Sequence, residues 1–281
     1  MSLFFTQLRA EILKLFARKR TFIGFGAFLL LEIVILFLFQ TKGVNRFKSL
    51  IVQQGEAFEK YYSALTIAHI VLGAAVFLLG GIYLALVAGD IVAKESEDGH
   101  MRLLLARPVS RFRLLLVKYL TCALYTVALV QFITWSAFLM GLFIKGWGGG
   151  YFAYSPEAGI AAFYDWGEGL RKYTIASLCL SVAMITVSSV AFFLSCLPIK
   201  PAAATITALS YVLIDMILRN MGFMEDYRHL LLTHHMASWA KTLAVDPQWA
   251  VILRSFTALV GVNTSLFLAG VVVFDSRDLK S

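Results

Sequence analysis

Four ionisable side chains, Glu32, His69, Asp215 and Arg219, fall inside or at the end of otherwise apolar runs. Such a group is costly in hydrocarbon and marks either a polar pathway or a local pairing. Glu32 lies near the middle of its run, about 15 Å of helical rise from the start. Two readings stand for it: it lines a pathway or pairs across a dimer, or it is a protonated carboxyl bonded to a neighbouring helix. His69 sits near the outer end of its own run. Asp215 and Arg219 are four residues apart, which puts both on one helix face and predicts an intrahelical ion pair near the interface. His229, His234 and His235 are metal-ligating types, but their spacing does not set three ligands on one face and no cysteine lies nearby. They read as surface histidines beside interfacial leucines, and no metal site is assigned.

The usual catalytic patterns are missing from the sequence. It contains no H-E-x-x-H, and its Ser and His residues form no recognisable nucleophile–base pattern. No G-x-x-x-x-G-K-[ST] loop is present to cradle ATP phosphates. No catalytic or cofactor-binding residue is therefore assigned to this chain. Cys122, Cys179 and Cys196 all lie in apolar runs, where a thiol behaves as a small hydrophobe rather than as half of a disulfide.

The polar chemistry concentrates instead between residues 90 and 118. An acidic cluster with Glu95, Glu97 and Asp98 ends at Gly99, which can break or cap a helix. Arg102, Leu103, Leu104 and Leu105 follow, then Arg107 and Pro108, which stops the segment. Ser110 can cap the next helix, which opens with Arg111. A short amphipathic helix on a charged connector, rich in both signs and in leucine, suits the gripping of a soluble partner.

The elements that must position these residues follow from composition. The 281 residues are 59% hydrophobic and 15% charged, with a mean hydropathy of +0.78. Soluble domains run nearer 45–50% apolar and about 25% charged. The formal charge is +8, yet the cations lie at the ends of apolar runs as membrane anchors, without the basic stripe and aromatic platforms that a nucleic-acid binder needs. A span needs about 20 apolar residues; the runs at 21–41, 65–89, 114–144, 173–197, 202–220 and 250–274 qualify. Pro198 and Pro201 bracket a tight turn between the fourth and fifth. The whole of 1–281 thus reads as one all-α, six-span membrane domain. Fourteen of the 25 Lys and Arg, including Lys118, Lys200 and Arg277, fall on the side that holds both termini, which the positive-inside rule makes cytoplasmic. Lys118 is expected to snorkel to that interface.

Residues 1–20 read as an amphipathic helix in the same interface, with Phe5, Leu8, Ile12, Leu15 and Phe16 toward lipid and Gln7, Glu11, Lys14 and Arg18 toward headgroups. Residues 90–113 form the charged loop after the second span. The outer segments differ: 145–172 mixes glycines with boundary aromatics, whereas 221–249 reads as short helices on or dipping into the outer leaflet.

The run Glu97-Asp98-Gly99, Leu103-Leu104-Leu105, Arg107-Pro108-Val109-Ser110-Arg111 and Lys118 resembles the signature of type 2 permeases of ATP-binding-cassette (ABC) transporters, the membrane subunits of type V exporters. The ending Phe274, Arg277-Asp278-Leu279 is similar to their tail, and six spans with an amphipathic entry helix and an outer insertion before the last span match throughout. His100 stands where many members have Thr, and Glu32 lies outside their pattern. The resemblance implies a non-catalytic subunit in a bacterial or archaeal cytoplasmic membrane. It would form a homo- or heterodimer with a second permease chain, above two ATPase subunits that carry ATP and Mg. The coupling helix, residues 97–107, would seat in an ATPase groove. Export is the expected activity, and Glu32→Gln is expected to reduce it; the resemblance leaves the cargo open, and the Leu-, Phe- and Val-rich spans favour a hydrophobic or amphipathic one. The alternatives are a gradient-driven carrier, for which no internal repeat is found, and an intramembrane enzyme.

Overall fold

A computed structural model describes residues 3–99 and 110–276. Its helices are α1 (Leu3–Ala17), α2 (Lys19–Leu38), α3 (Val44–Gln53), α4 (Phe58–Tyr61), α5 (Ala64–Ala75), α6 (Gly81–Glu97), α7 (Arg111–Lys145), α8 (Trp166–Ser195), α9 (Pro201–Arg219), α10 (Leu232–Met236) and α11 (Trp249–Ser276). A π-helical turn, Phe39–Gly43, joins α2 to α3, and a second, Val76–Gly80, joins α5 to α6. Six continuous helical rods are long and apolar enough to cross a membrane: Thr21–Gln53, Ala64–Glu97, Arg111–Lys145, Trp166–Ser195, Pro201–Arg219 and Trp249–Ser276. They follow the six expected runs in order. The first continues twelve residues past its expected end, because the π turn carries it into the amphipathic α3, whose Phe47 and Ile51 turn inward.

The bundle is built around α8, which packs on α6, α7, α9 and α11. Its inward positions include Ala176, Ser177, Ser181, Ala183 and Ser188, small residues that let helix backbones approach where lipid supplies no hydrophobic drive. Their hydroxyls stay satisfied: Ser188 and Thr126 of α7 share a hydrogen bond of 2.7 Å, and Ser181 receives one from Gln131 at 3.0 Å. The outer face of α2 keeps Phe22, Ile23, Leu30, Ile33 and Phe37 exposed, as lipid-facing side chains are.

The all-α membrane fold has one addition, in the outer segment 145–172. Strands β1 (Gly150–Ser155) and β2 (Ile160–Asp165) pair antiparallel, from Gly150 opposite Asp165 to Ser155 opposite Ile160. Gly146, Gly148 and Gly149 lead into β1 at φ of 73°, 108° and 93°, a region open to glycine at little cost. The hairpin docks on α5, where the Phe152 N–H donates to Thr66 Oγ1 at 2.9 Å. Phe152 also joins Phe47, Ile51, Phe58 and Tyr61 in a second apolar cluster that ties α3 and α4 to the hairpin. The segment 221–249 forms short helical turns and α10, as expected.

The connector after the second span is shorter than its expected bounds of 90–113. Residues 90–97 are the last turns of α6, Asp98 closes the helix, and Gly99 takes φ 73°. Ser110 caps α7 by accepting from the Arg113 N–H at 3.3 Å.

Candidate functional site

Where α6 and α7 meet the connector, Glu95 and Lys118 face each other across the helix pair. Lys118 is fully buried, so it does not snorkel; its stem is enclosed between helices and its ammonium is met by carboxylates instead. It donates to Glu95 Oε2 at 2.6 Å and to Glu11 Oε1 at 2.7 Å. The other Glu95 oxygen receives Lys14, and Arg18 lies 3.4 Å away. Three elements distant in sequence therefore share one cluster of three cations and two carboxylates. Isolated charges would carry a desolvation cost of several kcal/mol each, which only close, mutually satisfied geometry offsets.

This arrangement corrects the orientation expected of α1. Glu11, Lys14 and Arg18 turn toward the bundle rather than to headgroups, and of the apolar arc expected in lipid Phe5 alone is exposed. Leu15 is buried and Phe16 packs on Phe25 and Tyr125. The buried ammonium of Lys118 decides the matter, because a second carboxylate from α1 completes its shell.

The residues predicted for the connector separate accordingly. Glu95 is an internal strut and not a surface contact. Glu97 and Asp98 are exposed at the tip of α6, beside Gly99. Arg111 Nη1 donates to the carbonyls of Phe274 at 3.3 Å and Asp275 at 2.9 Å, tying the connector's far end to the C-terminus of α11. Arg102, Leu103, Leu104, Arg107 and Pro108 lie outside the described residues.

At the opposite end of the second span a cavity of about 600 Å³ opens between α5, the Val76–Gly80 turn, α8, α9, the hairpin and residues 233–240. Between Gly81 and Glu95 the helix rises about 21 Å, which separates the cavity from the charge cluster. His69 lines the cavity but is structurally committed. The Tyr154 carbonyl only accepts, so Nε2 carries the proton and donates to it at 3.1 Å; Nδ1 then accepts from Tyr151 Oη at 3.1 Å. Burial pushes the Tyr151 phenol well up and Tyr164 up to about 12, so both remain donors, Tyr164 to the Leu243 carbonyl at 2.6 Å.

Asp215 and Arg219 do not form the expected intrahelical pair. Asp215 accepts from the N–H groups of Leu232 at 3.2 Å and Thr233 at 2.7 Å, the first turn of α10. Arg219 donates to the Thr233 carbonyl at 2.9 Å and to Glu157 Oε2 at 2.7 Å. Each finds a stronger partner across a tertiary contact than on its own helix. Glu32 is fully buried between helices and accepts from Ser136 of α7 at 2.8 Å; it does not line the cavity. Among the described residues, no group of three His, Cys, Asp or Glu side chains is placed to hold a metal ion.

Sequence reasoning missed the charge cluster. Its one local signal is Lys118 itself, a cation two turns inside a helix that already carries Arg111 and Arg113 at its start.

Comparison with known proteins matches residues 7–215 to a family model described as ABC-2 family transporter protein. The chain is also 32% identical over 123 residues to the uncharacterized protein YhcI of Bacillus subtilis (strain 168), a match spanning 42% of this chain and 38% of that protein.

Proposed function

The chain belongs to the ABC-2 family of transporter proteins, and on that premise we propose that it is the permease subunit of an ABC exporter, driven through the connector after its second span. It is an integral membrane protein with six spans. One observation carries the coupling reading. Glu95, Lys118 and Glu11 bind α6, α7 and α1 together directly beneath the connector, so a displacement applied there moves three elements as one body. Rigid-body transmission needs such a joint, because an isolated loop would absorb the motion in its own backbone.

On this reading two ATPase subunits bind ATP and Mg, and this chain supplies no catalytic group. Glu97, Asp98 and the motif through Arg111 contact an ATPase groove, and a second permease chain completes the pathway. The termini and connector face the cytoplasm, supported by the cations at that end. Co-purification in detergent with ABC ATPase subunits from the same organism tests the proposal, using wild type, Glu97→Ala and Leu104→Arg. A stable complex whose ATPase activity is stimulated by wild type but not by the variants supports it. Failure of any ATPase to associate in any nucleotide state would sink it.

A further inference from the structure

We infer that the cavity at the hairpin end binds the acyl chain of an anionic amphiphile, whose head replaces Glu157 as the partner of Arg219. The volume of about 600 Å³ falls in the range of about 300–1,000 Å³ typical of small-molecule sites. Its depth is apolar, with Leu180, Val187 and Val212 on the span walls. Three of the chain's eight methionines, Met184, Met216 and Met236, line it as well. Flexible thioethers adapt to a chain without fixed shape better than branched side chains do. Phe77, on the π turn, is 64% exposed while lining the same space, which marks a side of the cavity open to the surroundings of the second span.

The polar groups of the wall decide the head. His69 has both ring nitrogens engaged, and the Tyr154 carbonyl is its acceptor. Arg219 and Glu157 supply the charges that line the cavity. The Arg219 side chain is only 12% exposed, whereas Glu157 is 57% exposed on the short turn Pro156–Ala158. Glu157 can therefore swing out and rehydrate at small cost, while the guanidinium, held by the Thr233 carbonyl, stays behind. A planar fork of donors left at an apolar cavity favours a carboxylate or phosphate oxygen pair. The incoming anion takes the position of the Glu157 carboxylate against Arg219, while Glu157, still charged, turns out into water. Asp215 does not compete for Arg219, because its oxygens accept from Leu232 and Thr233. Burial first, then His235, Lys241, Arg219 and Arg228, push the nearby His234 imidazole down. Glu157 thus acts as an internal placeholder for the ligand's head.

Binding at this site is independent of ATPase coupling; only movement of the ligand rests on the exporter reading. Trp239 lines the cavity and supplies the readout. The full chain, purified in detergent, is titrated with 9,10-dibromostearate, whose bromines quench indole fluorescence at contact, and in parallel with its uncharged methyl ester. Saturable quenching by the acid that Trp239→Phe removes is the expected result. Arg219→Gln should weaken the acid by about tenfold, the loss of one charge-assisted contact. Glu157→Gln should tighten it several-fold, and the ester should ignore both changes. Nanodiscs carrying dibrominated phosphatidylglycerol or phosphatidylcholine then separate a phospholipid from a free carboxylate as the source. Quenching by phosphatidylglycerol alone assigns the phospholipid, and quenching only by the free acid assigns the carboxylate. General loosening of the fold would move both charge variants the same way, so shifts of the same sign overturn the proposal. Equal binding of acid and ester, or quenching indifferent to Trp239→Phe, overturns it as well.

Discussion

The two ends of the second span handle charge in opposite ways. At the connector end, Lys118 is fully buried and Glu95 nearly so, locked among five charged groups from three elements. At the hairpin end, Arg219 and Glu157 form one half-exposed pair on the wall of an open cavity. The packing differs in the same sense. A Cβ at Gly89 would come within 2.6 Å of Thr205 Oγ1 and 3.2 Å of its backbone nitrogen, so α6 and α9 are in backbone contact there. A Cβ at Gly73, on the cavity wall, would meet nothing within 4 Å. Tight packing and closed charge suit a region that must pass on a displacement intact. Spare volume and an exchangeable ion pair suit one that admits a guest.

The sharpest way to break this contrast is Lys118→Met. It leaves Glu11 without its cation and Glu95 with Lys14 and Arg18 alone, and removing one partner of a buried pair costs about 3–5 kcal/mol. The expected outcome is a large fall in thermal stability in detergent, part of which Lys118→Met with Glu95→Met restores, since an apolar pair of similar volume replaces the ions. An unshifted midpoint for the single variant would remove the joint from the account of coupling. Next in size is the glycine pair. Gly89→Ala should destabilise by about 1–3 kcal/mol through overpacking, whereas Gly73→Ala should be neutral or stabilising by up to about 1 kcal/mol, as alanine favours helix. Equal effects at both sites would erase the difference in packing. Glu32→Gln keeps an oxygen acceptor for Ser136 but sets an amide NH2 where Oε2 is buried without a partner among the described residues, so it should destabilise by about 1–3 kcal/mol. A fall in ATP-dependent flux per folded chain in that variant would report the carboxyl group and not the helix joint, and unchanged flux would retire a transport role for Glu32. Smallest is Asp165→Asn, which breaks the exposed contact with Lys60 at 3.7 Å. The expected change is barely measurable and shrinks further in high salt.

Much of the architecture was legible because the signals are local. Each span is a run of apolar side chains, and Pro198 with Pro201 stops one helix before the next begins. Ser110 sits three residues before the N–H that it caps. The charge cluster was not legible, because Glu11, Glu95 and Lys118 belong together only after α1 folds back on the bundle. Read singly, Glu11 and Lys118 belong at the membrane interface and Glu95 on the connector. Asp215 and Arg219 misled for the converse reason: their spacing permits a local pair, but α10 offers two N–H donors to one and Glu157 a carboxylate to the other. The hairpin had a signal that glycine and aromatic content obscured. Tyr151, Ala153 and Ser155 alternate in facing with Phe152 and Tyr154, and Pro156 to Gly159 is turn chemistry.

The π turn at Val76–Gly80 has a genetic consequence. It accommodates a surplus residue within a single wide turn. Deleting Leu78 should let that turn relax into α-helix, leaving His69 above and Glu95 below on their present faces. Deleting Leu86, within regular α6, should instead rotate everything beyond it by about 100° and carry Glu95 away from Lys118. Yields of membrane-inserted protein from the two deletions would show whether the second span tolerates a missing letter at one address and not at another eight residues on.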